Sequence, residues 1–178
     1  MGNIERFLLL KMMNRLYSIS FSENAVQTQE YITKVISAIR YYTSEEKKLV
    51  RLKDEIESMK LFVETLAIST GNSLSVELRA EDQEALNAYI PARSLLFLAR
   101  DIFVQEDVKA GNIAIQVTTG ENEIDVLLKL YSTGTMDRLS SSIKDLEDRF
   151  RSSYQSEVRI SLNEKMNALW EIDFKLSK

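Results

Sequence analysis

The chain has 178 residues, 44% apolar and 28% charged, which suits one soluble globular domain, or a small domain with a helical extension, and excludes a disordered tail or a collagen-like repeat. It contains neither Cys nor His and has 23 Lys+Arg against 27 Asp+Glu, a formal charge of −4. The two missing residue types exclude a zinc finger, a thiol nucleophile, a Ser-His-Asp triad and a phosphohistidine within this chain; the acidic balance, with no sharp basic cluster, argues against a nucleic-acid surface.

The first apolar run, Phe7-Leu8-Leu9-Leu10, is broken by Lys11. It is far short of the roughly 20 residues that span a bilayer, and too short for a signal-peptide core. Met1-Gly2 is followed by Arg6 where a myristoylation motif wants Ser or Thr. A cytoplasmic chain that does not insert into a membrane is expected. Residues 4–20 read as a helix with Phe7, Leu8, Leu10, Met13, Leu16 and Tyr17 on a broad apolar face, broken by Ser20-Phe21-Ser22-Glu23-Asn24. Residues 24–43 carry Ile32, Val35, Ile36 and Ile39 at i, i+3, i+4 and i+7, one stripe of a second helix. Joined by a short loop, the two pack antiparallel. A third helix, 52–68, repeats the pattern in Leu52, Ile56, Met59, Val63 and Leu66 and ends at Ser69-Thr70-Gly71-Asn72.

The period then changes to two. Leu74, Val76 and Leu78 alternate with Ser75, Glu77 and Arg79, a half-buried strand. Pro91 is placed to open a helix whose buried face is Leu95, Leu96, Leu98, Ala99, Ile102 and Phe103. Residues 112–118 and 123–131 read as a hairpin across Thr119-Gly120-Glu121-Asn122. A charged helix follows at about 137–152, with a mixed-charge, solvent-facing side from Lys144 to Arg151. Strands at about 156–162 and 168–176 then turn at Asn163-Glu164-Lys165, with Trp170 in the core. The fold class expected is α/β (α+β), a helical hairpin over residues 1–46 leading into residues 47–178, a mixed sheet covered by helices on one face.

Several strings in this order resemble the cytoplasmic core of a LytS-like sensor histidine kinase. Val50-Arg51-Leu52-Lys53-Asp54-Glu55-Ile56 is similar to the family's V-x-L-x-x-E-L, and Ile39-Arg40-Tyr41 to its L-R-Y. Tyr89-Ile90-Pro91 with Leu95-Leu96 resembles its I-P-x-x-x-L-Q-P-L. Residues 143–150, Tyr154 and the closing strands resemble its L-x-N-I-x-x-R-L, Y and last hairpin. The resemblance implies a dimerisation hairpin followed by a GHKL/Bergerat-like ATP-binding sandwich.

At the positions that carry the family's chemistry this sequence departs from it. Arg6 stands where the resemblance places the phospho-accepting histidine, and a guanidinium is no nucleophile at neutral pH. In Asp101-Ile102-Phe103-Val104-Gln105-Glu106, Ile102 replaces the asparagine that would hold Mg²⁺, which demands oxygen ligands. Tyr131 replaces the adenine-binding aspartate, Thr133 falls in the same glycine-box string, and Ser140-Ser141-Ser142 replace the second glycine box, obstructing close backbone approach. Ser69 replaces an arginine after the linking helix.

The resemblance therefore implies a pseudokinase: not an enzyme, without nucleotide or metal cofactor, regulating a two-component-type circuit through protein contacts. The expected seam of a homodimer is Leu8, Ile32, Val35, Ile36 and Ile39. The expected docking face for a response regulator or an active kinase is Arg6, Met12, Met13 and Arg15. Other readings stand beside these. Arg6 also fits a solvated helix exterior, Met12-Met13 a core or dimer seam, and the three serines a loop or N-cap with Asp145 in a capping-box pair. Asp101, Glu106 and Asp107 flank an apolar helix without a second ligand cluster and are not read as a metal site. Two alternatives remain for the whole chain, a GHKL-fold nucleotide-binding protein with altered chemistry and a purely structural oligomerisation module.

Overall fold

A computed structural model describes residues 3–43, 49–105, 110–121, 123–132, 139–153, 159–165 and 169–177. The chain divides into two compact units, Met1–Glu46 and Lys47–Lys178.

The first unit is a helical hairpin, α1 (Asn3–Ser22) and α2 (Val26–Thr43). α1 runs past the predicted break, with its serine hydroxyls bonded back within the helix. The hydroxyls of Ser18, Ser20 and Ser22 donate back to the carbonyls of Asn14, Tyr17 and Ile19 at 3.0, 2.8 and 2.7 Å. The turn falls at Asn24, in the left-handed region at φ 53°, a conformation asparagine tolerates better than most side chains. The Gln29 side chain then donates to the Ser20 carbonyl at 3.2 Å.

The second unit opens with β1 (Leu49–Arg51), which runs straight into α3 (Leu52–Thr70). β2 (Ser73–Ala80), β3 (Tyr89–Pro91), α4 (Ser94–Arg100), β4 (Ala110–Thr119), β5 (Glu123–Ser132), α5 (Leu139–Ser153), β6 (Arg159–Lys165) and β7 (Leu169–Ser177) follow. Five strands form one mixed sheet in the order β2-β4-β5-β7-β6, with β2 parallel to β4 and every other pair antiparallel. β1 and β3 make a separate antiparallel pair. One parity of the strands is buried: Ile113, Ile115 and Val117, then Val126, Leu128 and Leu130, then Ile172, Phe174 and Leu176. This face joins α3 through Ile56, Met59 and Val63, α4 through Leu95, Leu98 and Ala99, and α5 through Ile143, Leu146 and Phe150, in one core. The mixed α/β fold expected from the sequence is the fold observed.

Four local expectations are corrected. Pro91 does not open a helix. It closes β3 opposite Leu49, at a strand end where a missing N–H is tolerated, and α4 starts three residues later. Ser140, Ser141 and Ser142 belong to the first turn of α5 rather than to a loop or N-cap, with Ser142 buried. Asn163, Glu164 and Lys165 are strand, paired with Glu171, Trp170 and Leu169, because pairing with β7 overrides their turn chemistry. Leu78 shares the inward parity of Leu74 and Val76 but is 43% exposed, at the far end of an edge strand with a neighbour on one side only. The side chain of Trp170, expected in the core, lies outside the described residues.

Candidate functional site

Two places bring together residues that could act on something outside the chain. The first is a cleft between α4 and α5 in the second unit. Burial of Leu95, Leu98 and Ala99 turns Phe97, Arg100 and Asp101 off the core. Burial of Ile143, Leu146 and Phe150 does the same for Asp145 and Arg149 on α5. The Arg149 guanidinium lies over the Phe97 ring at 4.3 Å from its centroid and that of Arg100 at 4.8 Å, contacts worth about 0.5–1 kcal/mol each where water has access. Asp101 accepts from Arg100 Nη2 and Nε at 2.6 and 2.8 Å. Beyond Asp101 the helix widens into a π-turn, Asp101–Gln105. The cleft has a volume of about 30 Å³, room for a water or two.

Of the altered motif positions, the fold brings Asp101 and Ser142 to this cleft, together with Asp145, the expected capping-box partner of the serines. Ile102 is 1% exposed inside the core, so the position aligned with a metal-binding asparagine faces hydrocarbon, not an opening. Tyr131 is exposed near the end of β5, opposite Asn112 and Leu169, and Ser140 and Ser141 are exposed on α5. Thr133, Glu106, Asp107 and Tyr154 lie outside the described residues. Among the described residues no group of three Asp or Glu side chains is placed to hold a metal ion.

The second place is the hairpin. Ile32 and Ile36 are already buried in a single chain, so they are not an uncovered seam; Val35 and Ile39 are half-buried. The uncovered apolar residues lie mostly on α1. Met12, Leu16 and Ile19 are 64, 49 and 38% exposed and stand at i, i+4 and i+7, one row on the helix surface. Position 8 continues that row one turn earlier, although the side chains of Arg6 and Leu8 lie outside the described residues. Arg15 is exposed at the edge of the row and Met13 half-buried beside it. Positions 6 and 15 are nine residues apart, half a turn around the helix at 3.6 residues per turn, so they do not share one face.

Sequence reading gave no role to three residues, Phe97, Arg149 and Glu55, the last two appearing only within strings that resemble the family. Phe97 and Arg149 meet only through the topology, and no local signal announces that contact. Glu55 carries a signal, a carboxylate inside the apolar row of Leu52, Ile56, Met59 and Val63, and it is completely buried.

No protein-family model and no curated protein sequence matches the chain. Among solved structures, it is similar to the catalytic domain of histidine kinase ThkA, with a TM-score of 0.50 and 12% identity over 73% of this chain and 95% of that one. The Acinetobacter baumannii histidine kinase AdeS gives a TM-score of 0.48 and 11% identity over 97 and 94% of the two chains. A bacterial phosphotransferase gives 0.49 and 9% over 98 and 97%. On the ThkA match the chain has the fold of a histidine kinase catalytic domain. This overturns the expectation that it is not an enzyme. That expectation rested on missing strings, whereas the ThkA structure is a catalytic domain, at an identity where the absence of a string does not decide chemistry. No described helix is long and apolar enough to cross a membrane.

Proposed function

We propose that the chain is a LytS-like signalling module of a two-component-type circuit and that it works through protein contacts made by its helical hairpin. One contact is with a second copy, along the row of positions 8, 12, 16 and 19; the other is with a response regulator or a partner kinase, beside that row. The observation that carries this reading is the uncovered stripe of Met12, Leu16 and Ile19 on a helix whose hairpin partner already buries Ile32 and Ile36. Such a stripe is more apolar surface than one antiparallel neighbour covers, as in bundles built from two hairpins.

The docking residues remain Arg6, Met12, Met13 and Arg15, divided between two sides of α1 by the half turn between positions 6 and 15. An arginine offers the carboxylates of a receiver domain a fixed, forked cation. Titration of a purified response-regulator receiver domain tests this. Arg6→Ala or Arg15→Ala, whichever side is used, is expected to weaken the complex by about 1.5–3 kcal/mol, the loss of one charge-assisted bond. Unchanged affinity in both variants overturns the docking assignment. A second reading, nucleotide binding with altered chemistry, is favoured by the two guanidinium groups on Phe97. Calorimetric titration with Mg-ATP, repeated on Arg149→Ala, tests it: heat lost in the variant supports this reading, and no heat in either protein removes it.

A further inference from the structure

Glu55 lies among the buried apolar residues of α3 and is 0% exposed. A carboxylate removed from water needs hydrogen-bond donors around it. Two of them come from the opening of α4: the Arg93 N–H donates to Oε1, and the Leu95 N–H donates to Oε2 at 3.0 Å. Arg93 itself holds a left-handed backbone, φ 66°, unfavourable to any residue with a Cβ. It offers α4 no side-chain cap of its own. The same two stretches of chain are joined a second time, since β1 pairs with β3, Val50 opposite Ile90, and the Leu52 N–H donates to the Ala88 carbonyl at 2.7 Å. β1 is the first described element of its unit and passes into α3 without a loop. α4 is only seven residues long, and Phe97, Arg100 and Asp101 on it form one wall of the cleft.

We propose that Glu55 is a positioning residue, a two-point tie through which displacement of β1 and the start of α3 is passed to α4 and so to the wall of the cleft. Two carboxylate oxygens on amides two residues apart fix both the rotation and the height of the first turn of α4. With the carboxylate gone, the buried Leu95 N–H and the part-buried Arg93 N–H lose an acceptor, a state that folded proteins avoid. α4 then responds to its own short set of contacts instead of to α3. This inference stands apart from the hairpin reading and would survive its failure.

Amide hydrogen exchange on the full chain tests it, because exchange resolves local opening from global unfolding. Glu55→Gln is expected to speed exchange at Phe97, Leu98, Ala99 and Arg100 at least tenfold while leaving β4, β5 and β7 unchanged. Val50→Ala, which loosens the β1–β3 pair, is expected to speed exchange at the same α4 amides several-fold in the native chain and to add nothing in the Glu55→Gln protein, the non-additivity that marks one shared connection. Equal added effects of Val50→Ala in both proteins, unaltered α4 exchange in Glu55→Gln, or a rise of the same size throughout the sheet overturns the proposal. If Glu55→Gln does not fold, the comparison is made in an Arg93→Gly background, where glycine takes the left-handed backbone without the Cβ penalty.

Discussion

Asp173 stands on β7 between Ile172 and Phe174, both buried, and so on the sheet face turned away from the helices. Partial burial raises its pKa above the ordinary 3.8, and the neighbouring carboxylate of Asp125 raises it further, against the lowering effect of Lys175. Lys175 is taken up elsewhere, 3.0 Å from Glu123 Oε1 and 3.2 Å from Asp125 Oδ1. A carboxyl whose pKa is raised by folding binds its proton more tightly in the folded state. Its ionised form therefore opposes folding above the folded pKa, and the opposition fades as pH falls through that value. Asp173→Asn is accordingly expected to melt at a higher temperature than the native chain at pH 7 and to show no advantage below about pH 3.8, where the native carboxyl is protonated in both states. Thermal melts of both proteins at pH 7 and pH 3 check this. A variant that is less stable at pH 7 shows that Lys175 outweighs burial and Asp125 together.

Among the elements, α3 shows what sequence pattern can and cannot decide. Its apolar spacing and its stop at Gly71 were readable, and Gly71 takes the left-handed C-cap at φ 70° that glycine adopts most easily. A Cβ there would meet nothing within 4 Å, so the cost of Gly71→Ala is conformational alone. It is expected at about 1–2 kcal/mol, seen as a lower urea midpoint with an unchanged slope. Gly71→Asn should cost less, because asparagine tolerates this backbone. What the pattern could not decide is where distant chain supplies the boundary. α4 begins at Ser94 and not at Pro91 because Glu55, 38 and 40 residues away, accepts the Arg93 and Leu95 amides. β6 continues through Asn163-Glu164-Lys165 because β7 pairs with it to Leu169. The cleft was hidden for the same reason. Its Asp101 and Ser142 are altered motif positions in the sequence, but Phe97 and Arg149 become neighbours only when α4 and α5 pack side by side. Ile102, which stands at the family's asparagine position by resemblance alone, follows the ordinary rule that an apolar residue on an apolar face goes inside.

At the scale of the whole molecule, the hairpin seam is where sequence and structure part most usefully. An apolar stripe on α2 was the natural choice for a dimer contact, yet the hairpin itself buries Ile32 and Ile36, at 5 and 8% exposure, and leaves Met12, Leu16 and Ile19 on α1 uncovered. The two sets respond differently to the same substitution. Ile36→Asp puts an unpaired carboxylate into a buried site, which destabilises the fold it sits in. It should therefore lower the helical signal of the hairpin whether or not the chain dimerises. Leu16→Asp or Ile19→Asp places the charge on a surface the single chain leaves in water, at little cost to the fold. In a dimer, however, that charge would face its own copy across a two-fold axis, where like charges repel without a low-cost way of solvating both. The native chain is expected to scatter light as a dimer at tens of micromolar, and Leu16→Asp as a monomer with an unchanged circular dichroism spectrum and melting temperature extrapolated to low concentration. A monomeric mass for the native chain overturns the seam outright. A dimeric mass that persists in both α1 variants moves the contact to Val35 and Ile39, the half-buried residues of α2.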